Sequence, residues 1–175
     1  GLAAANSLGV SGAVLQMFSH GIIGALLFAI AGRMIYARTH TRDLHELSHM
    51  NLSRVMPFVA FVFVVASAAS MGIPGFSGFA AEITILIGAW KSYSWAVWIT
   101  GIGMVLVAAF TLRAVRLAFF GERHLEPPMP IDTRITLPEK FGAAILIFAT
   151  LAVGIYPKLL LDRIQPAVQA MRFLQ

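Results

Sequence analysis

The sequence predicts an all-α protein: a polytopic bundle of transmembrane helices with about four spans, one of them discontinuous, and a C-terminal amphipathic helix. Hydrophobic residues make up 58% of the 175 residues and charged residues only 12%, with a mean hydropathy of +0.80. Soluble domains average about 45–50% apolar and about 25% charged residues. So few charges leave too little polar surface to cover a globule in water, and the apolar runs are long. A lipid bilayer is the solvent that suits this pattern.

The first predicted span covers residues 12–35. It is long enough to cross a hydrocarbon core of about 30 Å, which takes about 20 helical residues. The segment 36–54 that follows is rich in Arg, His, Thr and Asp and is predicted to be a polar loop outside the lipid. Small residues in the first span are expected to let another helix approach closely. They are Gly21, Gly24, Ala25, Ala29 and Gly32.

The second apolar stretch, residues 55–90, is too long for one straight helix, because about 35 residues at about 1.5 Å each would exceed the hydrocarbon core by roughly 20 Å. Its centre reads MGIPGFSGF and contains Gly72, Pro74, Gly75 and Gly78. Proline has no backbone N–H and disfavours helix at the residue before it. We therefore predict two half-helices joined by an unwound segment near residues 72–78.

Such a break has two interpretations. Irregular backbone at membrane depth is tolerated where it is buried in protein or lines a wet cavity, and in transporters it often marks the ion path. The alternative is a kink that only eases helix packing. The acidic residue that follows the break, Glu82, favours the functional interpretation.

The third predicted span covers residues 94–120, and Tyr93, Trp95 and Trp98 mark one membrane interface. Residues 121–138 contain four prolines and are predicted to form an extended loop. The fourth predicted span covers residues 139–156. Residues 159–175 alternate apolar and polar side chains with helical spacing, which predicts an amphipathic helix that lies on the membrane or on a neighbour.

The formal net charge of +5 does not indicate nucleic-acid binding, because the basic residues fall between apolar runs instead of forming one basic face. Cytoplasmic loops of membrane proteins carry an excess of Lys and Arg. The segments 36–54 and 121–138 with their flanks hold this excess, so both are predicted to face the cytoplasm and both chain ends the opposite side. Their basic residues are Arg33, Arg38, Arg42, Arg54, Arg113, Arg116, Arg123, Arg134 and Lys140.

Several kinds of chemistry have no support in the residues. The absence of cysteine excludes disulfides, iron–sulfur ligation and thiol catalysis within the chain. His45 and His49 stand four residues apart and could share a metal ion, but no third ligand is evident, and no metal site is predicted. No motif for binding NADH, flavin or quinone is recognisable. The sequence begins with Gly1 and shows no signal peptide, and we expect it to begin within a longer protein.

Glu82 is the most informative single residue. It lies in the run FAAEITIL, residues 79–86, where every neighbour but one threonine is apolar. A carboxylate in such surroundings is costly in lipid and should face the protein interior. We interpret it as a proton-relay group. The alternative is a structural ion pair with a basic residue on another helix, although no Lys or Arg of this chain is expected deep enough to pair with it.

His20 is the second candidate for proton relay. It lies in the first span, in the run QMFSHGII, and histidine is suited to exchanging protons near neutral pH. The alternative is a histidine that hydrogen-bonds Ser19, Gln16 or a backbone carbonyl across a helix interface. The residues leave both interpretations open.

The motif HTRD at residues 40–43 lies at the predicted cytoplasmic edge. It could couple the chain to a neighbouring subunit. The simpler interpretation, which the residues favour, is that Asp43 caps a short helix while the arginines anchor the membrane face.

Four segments, in this order and at this spacing, carry a resemblance to a known family. They are GAVLQMFSHG at 12–21, RTHTRDL at 38–44, MGIPGFSGFAAE at 71–82 and RLAFFG at 116–121. Over nearly all of its length the chain is similar to the antiporter-like subunit M (chain 4) family of NADH–quinone oxidoreductase, respiratory complex I, and it corresponds to the C-terminal portion of that subunit. Multisubunit sodium/proton antiporters and membrane-bound hydrogenases share this design and are the alternative. A glutamate at position 82 and the HTRD loop favour subunit M.

The resemblance implies a proton-translocating membrane subunit that couples electron transfer from NADH to quinone to proton pumping. It implies that Glu82 and His20 belong to the polar axis of the membrane domain. The chain would carry no cofactor and no redox chemistry of its own, with NADH, FMN, iron–sulfur clusters and quinone on other subunits of the translocase. The expected partners are other membrane subunits, the lipid bilayer and protons, in a bacterial inner membrane or an equivalent energy-converting membrane.

Overall fold

The computed structural model describes residues 1–121 and 133–171, and these ranges are helical, with no β-strand among them. Predictions that fall on residues 122–132 and 172–175, including most of the proline-rich loop, lie outside the described ranges. A short 3₁₀ turn, Leu2–Ala4, precedes the helices. These are α1 Ser7–Phe28, its π-helical continuation Ala29–Tyr36, α2 Ala37–Thr39, α3 Leu44–Met50, α4 Leu52–Val55, α5 Pro57–Ser70, α6 Ser77–Ser92, α7 Ser94–Phe119, α8 Leu137–Ile155 and α9 Lys158–Gln169.

The prediction of an all-α transmembrane fold is confirmed. Three helical runs in the described ranges are long and apolar enough to cross a membrane: Ser7–Thr39, Ser94–Phe119 and Leu137–Ile155. The predicted broken span consists of α5 and α6, which have 14 and 16 residues. At about 1.5 Å per residue these helices are about 21 Å and 24 Å long, so each is shorter than a hydrocarbon core and only the two together can cross it.

Helix α1 packs antiparallel against α6, and glycines allow the backbones to approach closely. A β-carbon on Gly12 would meet the backbone nitrogen of Ile85 at 2.8 Å, and one on Gly88 would collide with the backbone of Gly9. The side chain of Asn6 reinforces this contact, because it caps α1 through the Gly9 N–H and also donates to the Gly88 carbonyl at 2.9 Å. Residues early in α1 therefore contact residues late in α6, so the two helices run antiparallel.

Within the described residues, the glycines predicted to mediate close packing are not the ones that closely approach α6. A β-carbon on Gly21, Gly24 or Gly32 would meet no atom within 4 Å in the described part of the chain. Gly9 and Gly12, which precede Gly21 by about three turns in the same helix, make the close contact instead. The sequence pattern identified a helix rich in small residues but not the face that meets α6.

The polar segment 36–54, predicted to be a loop, is largely helical, with left-handed residues His40 and Asn51 between its short helices. The Asp43 side chain accepts a hydrogen bond of 2.7 Å from the His45 N–H at the start of α3, so it caps this helix as the simpler interpretation predicts. The Arg38 guanidinium donates to the Arg134 carbonyl at 2.7 Å. The segments on either side of residues 55–120 therefore meet at the same end of the bundle.

The C-terminal helix α9 has the predicted amphipathic character. Its apolar residues Leu160, Leu161 and Ile164 pack against a buried cluster that includes Leu15 of α1 and Val153 of α8. Further along the helix, Val168 is also buried. The apolar face of α9 therefore covers neighbouring helices of the same chain, which was one of the two places that the sequence pattern allowed.

Candidate functional site at the helix break

The break between α5 and α6 begins with a helix-ending motif that requires glycine. Gly72 has a φ of 72°, in the left-handed region, and its N–H donates to the Ala69 carbonyl at 3.3 Å. The next residue, Ile73, donates to the Ala68 carbonyl at 3.2 Å. This pair of hydrogen bonds is the Schellman motif, which satisfies the last carbonyls of a helix and favours glycine at the left-handed position.

A tight turn follows directly. The Phe76 N–H donates to the Ile73 carbonyl at 3.3 Å, with Pro74 and Gly75 as the two central residues and a φ of 102° at Gly75. Proline followed by glycine with positive φ is the signature of a type II turn. The unwound segment covers residues 71–76, and it is built from local turn chemistry rather than from a distortion of one long helix.

Gly78 was predicted to belong to the break, but it lies in a helix. It lies in the first turn of α6, and a β-carbon on it would stand 2.8 Å from the Ala69 carbonyl oxygen of α5. Gly78 therefore lets the end of one half-helix approach the start of the next. Gly72, Pro74 and Gly75 form the break itself.

The start of α6 is polar although it lies in the middle of an apolar stretch. Its N-cap residue, Phe76, provides no side-chain hydrogen bond to the helix. The first amide groups of a helix have no intrahelical partner and carry partial positive charge. The break therefore places unsatisfied backbone donors near the carboxylate-bearing part of α6.

Glu82 lies in the second turn of α6 and is partly buried. It lines a cleft of about 300 Å³ between the end of α5 and the middle of α7, with Ser70 and Met71 on one side and Thr100 and Met104 on the other. The Thr100 hydroxyl donates to the Ala96 carbonyl of its own helix at 2.9 Å. Apart from Glu82, the walls of this cleft carry only hydroxyl, thioether and apolar groups.

Glu82 and Gly72 are in direct contact. The carboxylate oxygen Oε2 of Glu82 stands in the space that a β-carbon on Gly72 would occupy. Gly72 thus serves both the backbone conformation of the break and the position of the acidic side chain. This contact links the helix break to the carboxylate in space as well as in sequence.

The Glu82 carboxylate has no hydrogen bond and no ion pair within residues 1–121 and 133–171. The ion pairs in these ranges both belong to Glu139, which contacts Arg33 at 3.3 Å and Arg38 at 2.9 Å. The alternative interpretation of Glu82 as half of a structural ion pair therefore finds no partner in the described part of the chain.

His20 does not share the cleft with Glu82. It is exposed on α1, whereas the cleft is lined by residues of α5, α6, α7 and the start of the break. Ser19, which was one of the predicted hydrogen-bond partners of His20, instead shares a hydrogen bond of 2.8 Å with Ser77. The structure places the two predicted relay residues on different helices, with no hydrogen bond or ion pair between them.

A cluster of three hydroxyl groups beside the break was not predicted from the sequence. Ser77 shares hydrogen bonds of 2.8 Å with Ser19 on α1 and with Thr150 on α8, and all three side chains are 0% exposed. The partners are 58 and 73 residues apart in sequence. Serine and threonine are common in membrane helices, so no sequence signal distinguishes these three from the others.

A second missed feature is the ionic cluster around Glu139. This residue accepts hydrogen bonds from the Thr136 backbone N–H at 2.8 Å and from Arg38 at 2.9 Å. The side chains of Glu139 and Arg38 are only 8% and 10% exposed, whereas that of Arg33 is 73% exposed. The cluster joins the end of the first span to the start of α8.

His45 and His49 lie edge to face with ring centroids 4.7 Å apart. Residues 1–121 and 133–171 contain no group of three or more His, Cys, Asp or Glu side chains that could hold a metal ion. The third ligand that a metal site would need is therefore not supplied by this part of the chain.

The chain is similar to known proteins in both sequence and fold. Residues 1–108 match the family model described as "NADH:quinone oxidoreductase/Mrp antiporter, TM". The NAD(P)H-quinone oxidoreductase chain 4 1 of Synechococcus elongatus is 39% identical over 166 residues, which cover 91% of this chain and 30% of the relative. The NADH-quinone oxidoreductase subunit M of Rhodobacter capsulatus is 39% identical over 168 residues, with 96% and 32% covered. The chain spans about a third of the length of these relatives.

Solved structures share the fold. A chain of respiratory complex I from Thermus thermophilus with bound NADH superposes with a TM-score of 0.85 at 25% identity, covering 98% of this chain and 35% of the other. A chain of the Mrp complex from a Dietzia species superposes with a TM-score of 0.71 at 22% identity, covering 97% and 40%. Both neighbours are parts of multisubunit membrane assemblies.

Proposed function

The chain belongs to the NADH:quinone oxidoreductase/Mrp antiporter transmembrane family, and from this membership we propose that it is the C-terminal part of a proton-translocating subunit. Its membrane localisation follows from the family and from the three helices long enough to span a bilayer. The proposed complex is NADH–quinone oxidoreductase, because the relatives at 39% identity are its subunit M and chain 4. Residues 1–175 form one membrane domain in this proposal.

The observation that carries the proposal is the position of Glu82. An acidic side chain stands in a cleft at a helix break, on a helix too short to cross the bilayer alone, and without an ionic partner in the described ranges. Ionisable groups inside membrane segments are costly, and where they occur they usually serve transport. A carboxylate whose charge is not neutralised by a fixed cation is free to bind and release a proton, which is what a relay requires.

The surroundings of Glu82 fit this role. The break supplies unsatisfied amide groups at the start of α6, and the cleft holds the hydroxyls of Ser70 and Thr100. Such groups can order water molecules that carry a proton to and from the carboxylate. In the proposal, Glu82 takes up a proton from one side of the membrane domain and releases it toward the other, and His20 on α1 serves a separate step of the relay.

The chain itself has no redox role in this proposal. Its relatives are named as a chain and a subunit of quinone oxidoreductases. In the proposal, the electron transfer from NADH to quinone, with FMN and iron–sulfur clusters, takes place on other subunits. The partners of the chain are other membrane subunits, lipid and protons. The membrane is a bacterial inner membrane or an equivalent energy-converting membrane.

The experiment that tests the proposal is Glu82→Gln in the assembled complex, with NADH-driven proton uptake measured in inverted membrane vesicles. Assembly is verified by NADH oxidation with an artificial electron acceptor. We expect proton uptake and quinone-linked turnover to collapse while acceptor activity survives, since glutamine keeps the size of the side chain and removes the proton-binding group. The matched control is Glu46→Gln, because Glu46 is exposed on α3, outside the cleft. Unchanged proton uptake per NADH in Glu82→Gln would refute the relay role.

A second candidate function is a subunit of a multisubunit sodium/proton antiporter or a membrane-bound hydrogenase. The family model includes Mrp antiporters, and the Mrp complex has the same fold. The antiporter alternative predicts proton movement that is driven by a sodium gradient without NADH. Vesicles that carry the complex and respond to a sodium gradient but not to NADH would favour it.

A further inference from the structure

Three buried hydroxyl groups, Ser19, Ser77 and Thr150, form a hydroxyl cluster that joins three helices at the break. The oxygen atoms of Ser19 and Ser77 are 2.8 Å apart, as are those of Ser77 and Thr150, and either member of each pair can be the donor. All three side chains are fully buried. A buried hydroxyl that loses its partner is strongly disfavoured, so the three groups hold one another in place.

One member of the hydroxyl cluster, Ser77, is the first residue of the second half-helix. Ser77 begins α6 directly after the unwound segment 71–76, and its hydroxyl turns sideways to α1 and α8. Toward α5, this half-helix is joined by the short turn and by the close approach of Gly78 to the Ala69 carbonyl. The cluster therefore joins the start of α6 by hydrogen bonds to α1 and α8, which both belong to helical runs long enough to span the membrane.

Close backbone contacts flank the cluster on both sides. On α8, Gly154 follows Thr150 by one turn, and a β-carbon there would collide with the Gly75 carbonyl and the Phe76 backbone. On α1, Gly12 precedes Ser19 by two turns and approaches Ile85 of α6. The glycines let the backbones come together, but they form no directional bond. At the start of α6 the hydroxyl cluster supplies directional bonds, and near the end of the helix Asn6 supplies another to the Gly88 carbonyl. The bonds at Ser77 limit how far this end of α6 can slide or rotate.

Glu82 has no such bond of its own in the described ranges, although it lies on the same half-helix. It follows Ser77 by five residues, which is about one and a half turns and places the two side chains on different sides of α6. Ser77 faces α1 and α8, whereas Glu82 faces the cleft beside α7. A slide or rotation of α6 at Ser77 would therefore move the carboxylate within its cleft.

We infer that Ser19, Ser77 and Thr150 are positioning residues, whose hydrogen bonds hold α6 in register against α1 and α8 and thereby keep Glu82 in its cleft against Gly72. The inference rests on the proposed proton-relay role of Glu82. It assigns the three hydroxyls no proton transfer of their own.

The first test measures the position of α6 without measuring transport. Met104 on α7 lines the cleft opposite Glu82, and the chain contains no cysteine, so Met104→Cys gives a single reporter thiol within this sequence. In the assembled complex, Thr150→Val removes one hydroxyl at nearly constant volume. We expect it to change the rate of maleimide labelling of the reporter by about 2- to 10-fold, the factor by which one hydrogen bond shifts an equilibrium. Thr150→Ser keeps the hydroxyl and should restore the parent rate.

The second test measures protons translocated per NADH oxidised in the same variants. We expect Thr150→Val to lower this ratio, and Thr150→Ser to retain it. The matched control is Ser67→Ala on α5, because Ser67 is also buried but its hydroxyl has no hydrogen-bond partner among the described residues. Removing an unsatisfied hydroxyl should leave both the labelling rate and the proton ratio at the parent values.

Two results would overturn the inference. One is that Thr150→Val and Thr150→Ser change the labelling rate and the proton ratio equally, which would mean that any change of this side chain has the same effect and that the hydroxyl is not specifically responsible. The other is that Thr150→Val leaves both at the parent values. If Glu82→Gln pumps normally, the relay proposal fails by itself, while the labelling experiment still reports whether the hydroxyl cluster positions α6.

Discussion

The Oε2 atom of Glu82 occupies the space that a β-carbon on Gly72 would need, although ten residues and a helix break separate them along the chain. Gly72 also has a φ of 72°, a conformation that costs a non-glycine residue roughly 1–2 kcal/mol. Glycine is therefore required here for two independent reasons. The residue that ends the first half-helix also makes room for the carboxylate of the second.

Replacing Gly72 with alanine is expected to impair both stability and transport. The methyl group must displace the Glu82 carboxylate, and the left-handed backbone becomes strained by roughly 1–2 kcal/mol. We expect a lower temperature of unfolding in detergent and fewer protons translocated per NADH oxidised in vesicles. Both quantities can be measured on the same purified complex.

Gly101→Ala on α7 is the control for this substitution. A β-carbon at Gly101 would meet no atom within 4 Å in the described ranges, and the residue is helical, so alanine should be tolerated. If Gly72→Ala pumps protons as well as Gly101→Ala does, the contact between Gly72 and Glu82 has no functional importance.

The break was predictable because its determinants are local. Proline at one position and glycine at the next favour a type II turn, and glycine at the end of α5 favours a left-handed cap, whatever the rest of the chain does. The same applies to Asp43, whose capping role depends only on the helix that begins after it. Gly78 was predicted to lie in the break as well, but it lies in α6, where the nearby Ala69 carbonyl of α5 leaves no room for a β-carbon.

The contacts between helices were not predictable in the same way. A stripe of small residues reveals that a helix can pack closely, but not which face does so, and Gly9 and Gly12 make the contact where Gly21 and Gly24 do not. The hydroxyl cluster depends on side chains from three helices meeting at one point. Such contacts arise from the tertiary arrangement, which one sequence with local rules does not determine.

The ionic cluster at the start of α8 predicts an asymmetric mutational response. Glu139→Gln removes the partner of Arg38, whose side chain is only 10% exposed and would retain a buried charge without its counter-ion. Loss of one partner from a buried pair destabilises by about 3–5 kcal/mol, and partial exposure of this pair should bring the effect to the lower end. Arg33→Gln should change stability by less than about 1 kcal/mol, because the Arg33 side chain is 73% exposed.

Thermal unfolding of the purified complex, followed by circular dichroism, distinguishes the two variants. Glu139→Gln should lower the unfolding temperature clearly and Arg33→Gln only slightly. Equal effects would mean that the exposed contact of Glu139 with Arg33 contributes as much as the buried contact with Arg38.

The separation of His20 from Glu82 leads to a prediction about their double variant. If both residues serve steps of one relay, the slower step limits the flux, and blocking the second step adds little. We therefore expect His20→Gln to reduce proton uptake without loss of assembly, since His20 is exposed on α1. The double variant should pump no worse than Glu82→Gln alone. Effects that multiply in the double variant would assign the two residues to independent routes.

The contact between α8 and the break gives a last prediction, for a residue that has no chemistry of its own. A β-carbon on Gly154 would collide with the Gly75 carbonyl and the Phe76 backbone, and backbone atoms cannot move aside as a flexible side chain can. Overpacking of this kind typically costs about 1–3 kcal/mol. Gly154→Ala should therefore lower the unfolding temperature, and it should also reduce proton uptake because α6 moves with the displaced turn.

The control is Gly142→Ala on the same helix. A β-carbon on Gly142 would meet no atom within 4 Å in the described ranges, so this variant should leave both quantities near their parent values. A Gly154→Ala variant that is destabilised but pumps a normal number of protons per NADH would show that the turn can shift without moving Glu82.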